Sequence, residues 1–377
     1  MKKAGHKITV ATNEMAIRRM MHEEYMFVTL PNFDLQRTKA DLLIQSKRIK
    51  NALRSLANNN DIVYIPGKLL FLAPWFKEAN SSLRILIHLH DYQLICPHST
   101  LLNMLKHRTC DQIWSDVDCT RCTQKFLQSD GNDLPYSLLG TLPTLYWKHV
   151  ARPLKIIDSV DLFITVSNRQ THLINRNLDQ HPNEFQRKNI MLYNPVDSIT
   201  DYVPSDFGKL PCLGFFGGNR FIKGYTEMLK LINHLYPRSV KLFASKMTFS
   251  SDGQTFESVG VLDSRQMVNA FKKVWIVLFT SVMEETSSYI VVESQLRGRP
   301  VIACPVGGIP ENIVKMDFTG SLLGAQDYDR FKYLVEYYSR RLRADPYNYT
   351  LEISELSKDF FRKRTDASYN TFLNLVS

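Results

Sequence analysis

The sequence contains no run approaching the roughly 18 apolar residues of a membrane-spanning helix. Its opening, Met1-Lys2-Lys3-Ala4-Gly5-His6, lacks the apolar centre of a secretory signal peptide. Cysteine is sparse, six in 377 residues, which excludes a disulfide-dense small scaffold. There is no low-complexity tract and no repeat at the period of a solenoid. These absences point to a globular chain at a reducing, cytoplasmic address, with peripheral contact at the cytoplasmic membrane surface as its nearest approach to lipid.

Hydrophobic residues make up 44% and charged residues 22%, an ordinary globular balance. The length suits two domains, each able to bury a core. Lys and Arg number 47 against 37 Asp and Glu, a net +10. That charge favours partners bearing phosphate without choosing among them. No nucleic-acid-binding signature stands out, so no nucleic acid partner is expected.

Short apolar, β-branched runs alternate with longer helical patterns. The runs are Ile8–Thr12, Ile62–Pro66, Arg84–His90, Leu162–Val166 and Ile190–Tyr193, then Cys212–Phe216, Val240–Ala244, Val259–Leu262, Ile276–Phe279 and Val301–Cys304. Near-continuous hydrophobicity over four to six residues reads as strands buried on both faces. Helices such as Asp41–Asn59 and Ser264–Lys273 lie between them, which predicts parallel sheets with helices on both faces. The alternation pauses from Asn194 to Gly208, where Pro, Asp and Gly cluster as in a linker. The expected plan is α/β: a Rossmann-like domain over residues 1–200, a second over 201–353, and a helix over 354–377 packing back on the first. From Cys96 to about Tyr146 the pattern breaks, and an inserted subdomain is expected.

The strongest chemical signal is Glu285-Thr286-Ser287-Ser288-Tyr289-Ile290-Val291-Val292-Glu293, after the strand ending at Thr280. A polar loop there turns into a helix that Gly298-Arg299-Pro300 ends. A helix N-terminus at a strand's carboxyl end attracts anions, because free N–H groups and the dipole point there. Ser287 and Ser288 are suitable caps. Glu293, about two turns in, can accept hydrogen bonds from vicinal hydroxyls. The bland alternative is a surface helix with two solvated glutamates.

In context, Glu-x7-Glu followed by Gly-Arg-Pro-Val-Ile-Ala and Gly307-Gly308-Ile309-Pro310-Glu311-Asn312 resembles the second domain of retaining glycosyltransferases of family 4. Asp161–Ser167, Asn194-Pro195-Val196-Asp197 and Gly214-Phe215-Phe216-Gly217-Gly218 with Lys223-Gly224 resemble further family segments in the same order. The resemblance implies the GT-B fold, two Rossmann-like domains whose parallel sheets face a central cleft. It implies transfer of a sugar from a nucleoside-diphosphate donor to a glycan, lipid-linked or protein acceptor, with retention. The products it suggests are cell-surface polysaccharide, lipid-linked glycan or glycosylated protein.

By the same resemblance Lys223 binds the donor diphosphate, with Arg220 as second cation or facing solvent, since the family's usual Arg position is Gly218. Gly217 and Gly218 let the backbone approach, the backbone of Ser288 and Tyr289 touches the diphosphate, Glu293 holds the ribose, and Glu285 sits by the transferred sugar. In the first domain His90-Asp91 resembles the family's His-Asp at the cleft, with His90 on the donor sugar and Asp91 positioning His90 or the acceptor hydroxyl. His88 is read as a histidine satisfied at a strand end. The family's leaving phosphate takes the acceptor's proton, so no protein nucleophile is assigned and no cofactor is required for catalysis.

The insertion carries Cys96, Cys110, Cys119 and Cys122, spaced C-x13-C-x8-C-x2-C, a set that suits a tetrahedral structural zinc. Four thiols or two disulfides are the alternatives, and His98 can substitute for one ligand. Asp116-Val117-Asp118 spells the metal motif of a different glycosyltransferase fold. It is expected to be chance, far from the donor loop, with no catalytic metal. The aromatic, basic stretch Tyr136–Lys155 reads as an amphipathic core helix, with contact to a membrane-borne acceptor as the alternative. The family's first strand and Gly-rich turn precede the segment that Ala4–Val10 resembles, so the first sheet is expected to lack a central strand. A non-catalytic GT-B subunit that binds nucleotide sugar or supports a partner, and a nucleotide-sugar epimerase, are the competing readings.

Overall fold

The computed structural model describes residues 7–12, 26–29, 49–111, 116–129, 153–178, 182–196, 202–204, 207–235, 240–245, 255–260 and 262–376. Two hydrophobic cores organise them. One gathers Leu53, Ile85, Ile87, Phe163, Ile174 and Phe185; the other gathers Leu213, Phe271, Val277, Val301, Phe331 and Leu342.

In the first lobe β1 (Thr9–Thr12) and β2 (Met26–Thr29) form a parallel pair. Four strands, β3 (Ile62–Pro66), β4 (Arg84–His88), β7 (Leu162–Thr165) and β8 (Asn189–Met191), form a parallel sheet in that order. The short antiparallel pair β5 (Leu102–Asn103) and β6 (Arg108–Thr109) lies between β4 and β7 in the chain. Among the described residues β1–β2 and the four-stranded sheet are not hydrogen-bonded to each other.

The second lobe is a six-stranded parallel sheet. Its strands are β9 (Cys212–Phe215), β10 (Lys241–Ser245), β11 (Thr255–Val259), β12 (Ile276–Phe279), β13 (Val301–Ala303) and β14 (Gly320–Leu322), ordered β11-β10-β9-β12-β13-β14. β9 and β12 are buried throughout, so their hydrophobic runs are continuous rather than alternating. β11 covers Thr255–Val259 rather than Val259–Leu262. Only Phe256 and Val259 of its Thr-Phe-Glu-Ser-Val are apolar, and they are three residues apart, so it gives neither a continuous apolar run nor a strict alternation.

Local signals explain the element ends. The helix Ser264–Lys273 starts at a capping box in which Asp263 and Gln266 satisfy each other's backbone. Gly298, at φ 81°, follows the helix Tyr289–Leu296, and Arg299 turns fully inward. Its guanidinium donates to the carbonyls of Phe271, Val274, Arg297 and Val203, tying the interlobe segment to the core. Burial lowers its pKa to about 9.

The last helix runs from Pro346 to Val376. Phe361 packs on Val292 and Leu296 of the second lobe. Further along, Phe372 meets Tyr64 edge-on and the Leu375 carbonyl accepts a bond from Arg84 of the first lobe. The Asp41–Asn59 helix is seen over 49–58, and residues 41–48, like 136–152, lie outside the described residues.

Candidate active site

The second sheet reverses its strand order between β9 and β12. In an open parallel sheet the crevice beyond the carboxyl ends of those two strands is the natural ligand site. The chain sends two loops there, Phe216–Gly224 from β9 and Thr280–Ser288 from β12, and they are stitched together. Ser281 Oγ and Val282 N both donate to the Ile222 carbonyl, at 3.0 and 3.1 Å. Thr280 Oγ1 donates to the Gly224 carbonyl at 2.8 Å. Gly224 is at φ +75°, and a Cβ there would lie 1.6 Å from the Thr280 carbonyl oxygen, so only glycine fits.

This stitching brings Lys223 and Glu285 together. Lys223 Nζ is 2.7 Å from Glu285 Oε1, and the same carboxylate accepts from Ser281 Oγ at 2.9 Å. Glu285 is buried, while Lys223 keeps about a third of its side chain exposed (30%). Gly217 lies against Phe215 and the Lys223 Cβ, and Gly218 takes a positive φ of 65°. Arg220 precedes the turn Phe221–Lys223 with its side chain exposed.

The helix Tyr289–Leu296 starts at Ser288, as the sequence predicts, but the Ser288 side chain makes no cap bond. Ser288 is buried and Tyr289 is 58% exposed. Ser287 Oγ accepts from Asn312 Nδ2 at 3.3 Å. Glu293 is the fifth residue of this helix, just over one turn in rather than two. Its carboxylate is held by Arg297, at 2.7 Å from Nη2 and 3.0 Å from Nε.

The first lobe supplies His90 just beyond β4. Its side chain is exposed at the interlobe face, and its carbonyl accepts from Thr286 Oγ1 at 2.8 Å, so it adjoins the loop carrying Glu285. Partial burial lowers its pKa. His88 lies against it, ring centroids 4.2 Å apart, while Leu89 is fully buried. His88 Nδ1 shares a hydrogen bond with the Tyr64 hydroxyl at 2.5 Å. Burial, with a smaller contribution from His90, lowers the His88 pKa to about 3 and keeps it neutral. The Asp91 carboxylate accepts from Gln93 N at 2.8 Å, a local Asx turn.

Two carboxylates that sequence reasoning does not single out join the lobes. Glu311 accepts from Asn168 N at 3.0 Å, Arg169 N at 2.9 Å and the Tyr193 hydroxyl at 3.1 Å. It sits at the N-terminus of the helix Asn168–Asn177, which Ser167 caps, a position that favours a negative charge. Glu284 is 5% exposed and accepts from Thr109 Oγ1 at 2.6 Å, Arg169 Nη2 at 3.1 Å and Gly307 N at 2.7 Å. Gly307 must be glycine: its φ is +55°, and a Cβ there would lie 1.8 Å from the Glu285 carbonyl oxygen.

The insertion departs from expectation in two ways. It is not far from the donor loop: Leu102, Met104, Cys122 and Phe126 cluster with Ile222, and Phe221, Val282 and Met283 pack beside them. Asp116-Val117-Asp118 opens the helix Asp116–Ser129 of this same insertion. Nor is the zinc expectation supported. Cys96, Cys110, Cys119 and Cys122 line one small cavity with His98, yet among the described residues no three His, Cys, Asp or Glu are placed to hold a metal ion. The sulfurs have other partners. Burial raises the Cys96 thiol pKa, opposed by backbone bonds from Leu101, His98, Thr100 and Ser99. Cys122 Sγ accepts from Met104 N at 3.2 Å and contacts His98 Nε2 at 3.4 Å.

No protein-family model and no curated protein matches the chain. Solved structures do. Sucrose-phosphate synthase from Thermosynechococcus elongatus aligns over 100% of this chain and 89% of its own, with a TM-score of 0.65 and 14% identity. Anabaena HepE in complex with UDP and glucose aligns over 98% and 99%, with a TM-score of 0.62 and 12% identity. The catalytic domain of Arabidopsis thaliana starch synthase IV, bound to ADP and acarbose, aligns over 85% and 77%, with a TM-score of 0.54 and 12% identity. The fold is GT-B. Among the described residues no helix is long and apolar enough to cross a membrane.

Proposed function

We propose that the chain is a retaining glycosyltransferase of family 4 type, moving a hexose from a nucleoside-diphosphate sugar to a glycan, lipid-linked or protein acceptor. One observation carries the reading: Lys223 and Glu285 meet 2.7 Å apart at the sheet's switch point, beside the N-terminus of the helix Tyr289–Leu296. A diphosphate at that place is neutralised by Lys223, with Arg220 as the second cation, and takes backbone N–H bonds near Ser288 and Tyr289. Gly217 and Gly218 let the loop approach it. Glu293 receives the ribose hydroxyls once Arg297 yields, and His90 reaches the donor sugar from the first lobe, with Asp91 bracing the turn below.

Charge develops on the leaving diphosphate as the glycosidic bond breaks. A cation and oriented N–H groups already in place stabilise that charge without reorganisation. Glu285, beside the sugar, favours positive character at the anomeric carbon. The leaving phosphate takes the acceptor's proton on the same face, which gives retention. HepE was solved with UDP-glucose, so a UDP-sugar is the first donor to try. The peripheral, cytoplasmic-face address belongs to this same proposal.

The test is titration of the purified chain with UDP-, GDP- and ADP-sugars, followed by NMR of the products. Saturable binding of one donor, release of nucleoside diphosphate, and loss of both in Lys223→Ala are the expected results. Binding without turnover turns the reading to a non-catalytic subunit, and an epimerised donor with no free nucleotide turns it to an epimerase. A wild-type chain that binds none of the three donors overturns it.

A further inference from the structure

The apolar and polar contacts of the insertion converge on one place. Leu102, Met104 and Phe126 cover Ile222 and Phe221, the two residues immediately before Lys223. Val282 and Met283, which shortly precede Glu285, pack into the same cluster. His107 meets the Phe221 ring edge-on. The insertion is thus a wall behind both partners of the Lys223–Glu285 pair.

One polar link accompanies that wall. Glu284 Oε1 receives the Thr109 hydroxyl at 2.6 Å and Arg169 Nη2 at 3.1 Å, while Oε2 receives Gly307 N at 2.7 Å. Three donors therefore reach one buried carboxylate from the insertion, the first lobe's helix and the second lobe's Gly-Gly turn. The next residue in the chain is Glu285, whose carbonyl accepts from Gly308 N at 2.7 Å. Side chain and backbone of consecutive residues are fixed to one turn, so a shift of Glu284 displaces the Glu285 carboxylate and the ammonium it holds.

We infer that Glu284 is a positioning residue through which the insertion, by way of Thr109, sets the placement of Lys223 and Glu285 for a nucleoside diphosphate. The inference rests on the proposed donor site. Charge-assisted hydrogen bonds at a buried carboxylate are strong, and a Thr→Val change removes the donor at nearly constant shape.

The probes are UDP, GDP and ADP, using whichever the wild type binds most tightly. Thr109→Val and Glu284→Gln are expected to weaken binding about ten-fold, while Thr109→Ser, which keeps the hydroxyl, binds like the wild type. In a Lys223→Ala background, Thr109→Val is expected to add nothing, a result that a merely structural role does not give. Thermal unfolding of each variant identifies any that has lost its fold, and Thr109→Val carries the test if Glu284→Gln does not fold. Wild-type affinity in Thr109→Val, or equal loss in Thr109→Ser, overturns this inference alone. A wild type that binds none of the three nucleotides overturns the donor site and this inference with it.

Discussion

Lys223 Nζ stands 2.7 Å from Glu285 Oε1, joining a partly exposed cation to a buried carboxylate across 62 residues of chain. Lys223→Ala removes the counter-charge and leaves that carboxylate buried. The expected loss is about 1–3 kcal/mol of stability, less than for a fully buried pair because the lysine is partly solvated. Chemical denaturation measures it. On the proposed donor site, nucleotide titration of the same variant should show affinity reduced at least about 100-fold, since a diphosphate there loses its fixed cation.

Gly224→Ala should damage the donor loop without touching any charge. Its φ of +75° and the Thr280 carbonyl leave no room for a methyl group. A cost of about 2–4 kcal/mol follows from strain and overlap together. A lowered unfolding temperature, with weaker nucleotide binding in the fraction that still folds, is the expected outcome.

Acid should destabilise the first lobe through His88. Its folded pKa is about 3 against 6.5 for an ordinary imidazole, mainly because it is buried. The unfolded chain therefore binds more protons between those values. The contribution of neutral His88 is complete above about pH 6.5 and is lost as pH falls, by about 1.4 kcal/mol per unit. Unfolding measured from pH 7.5 to 5 should show this slope, and His88→Gln should flatten it.

Glu311→Ala should loosen the docking of the two lobes. The carboxylate fastens the start of the helix Asn168–Asn177 through Asn168 N, Arg169 N and Tyr193. Removing it should raise the radius of gyration in solution scattering and speed proteolysis between the lobes. Glu311→Gln, which keeps acceptor capacity, should have the smaller effect.

Buried strands were the most legible part of the sequence. Arg84–His88 and Ile276–Phe279 lie within the apolar runs that predict them, and the helix Ser264–Lys273 lies where its pattern places it. Thr255–Val259 was displaced because an edge strand with only two apolar residues shows no run, and Gly320–Leu322 is too short to show a pattern. Lys223 and Glu285 could be picked out because each sits in a local motif beside a strand end. Glu284 could not. Its partners Thr109 and Arg169 lie 175 and 115 residues away, and adjacency to a motif glutamate carries no local mark. The cysteines show the opposite failure: their spacing suggested a shared ion, but backbone and neighbouring side chains engage Cys96 and Cys122 instead.

The final helix, 31 residues or about 46 Å long, is gripped near its middle by Phe361 against the second lobe and near its end by Phe372 and Leu375 against the first. It works as a brace: rolling one half against the other must break the Glu284 and Glu311 bonds between them, and a wide gape must also bend a continuous rod or tear one grip loose. Shortening the chain before Phe372 would therefore remove one grip between the halves while leaving every residue of the proposed donor site in place.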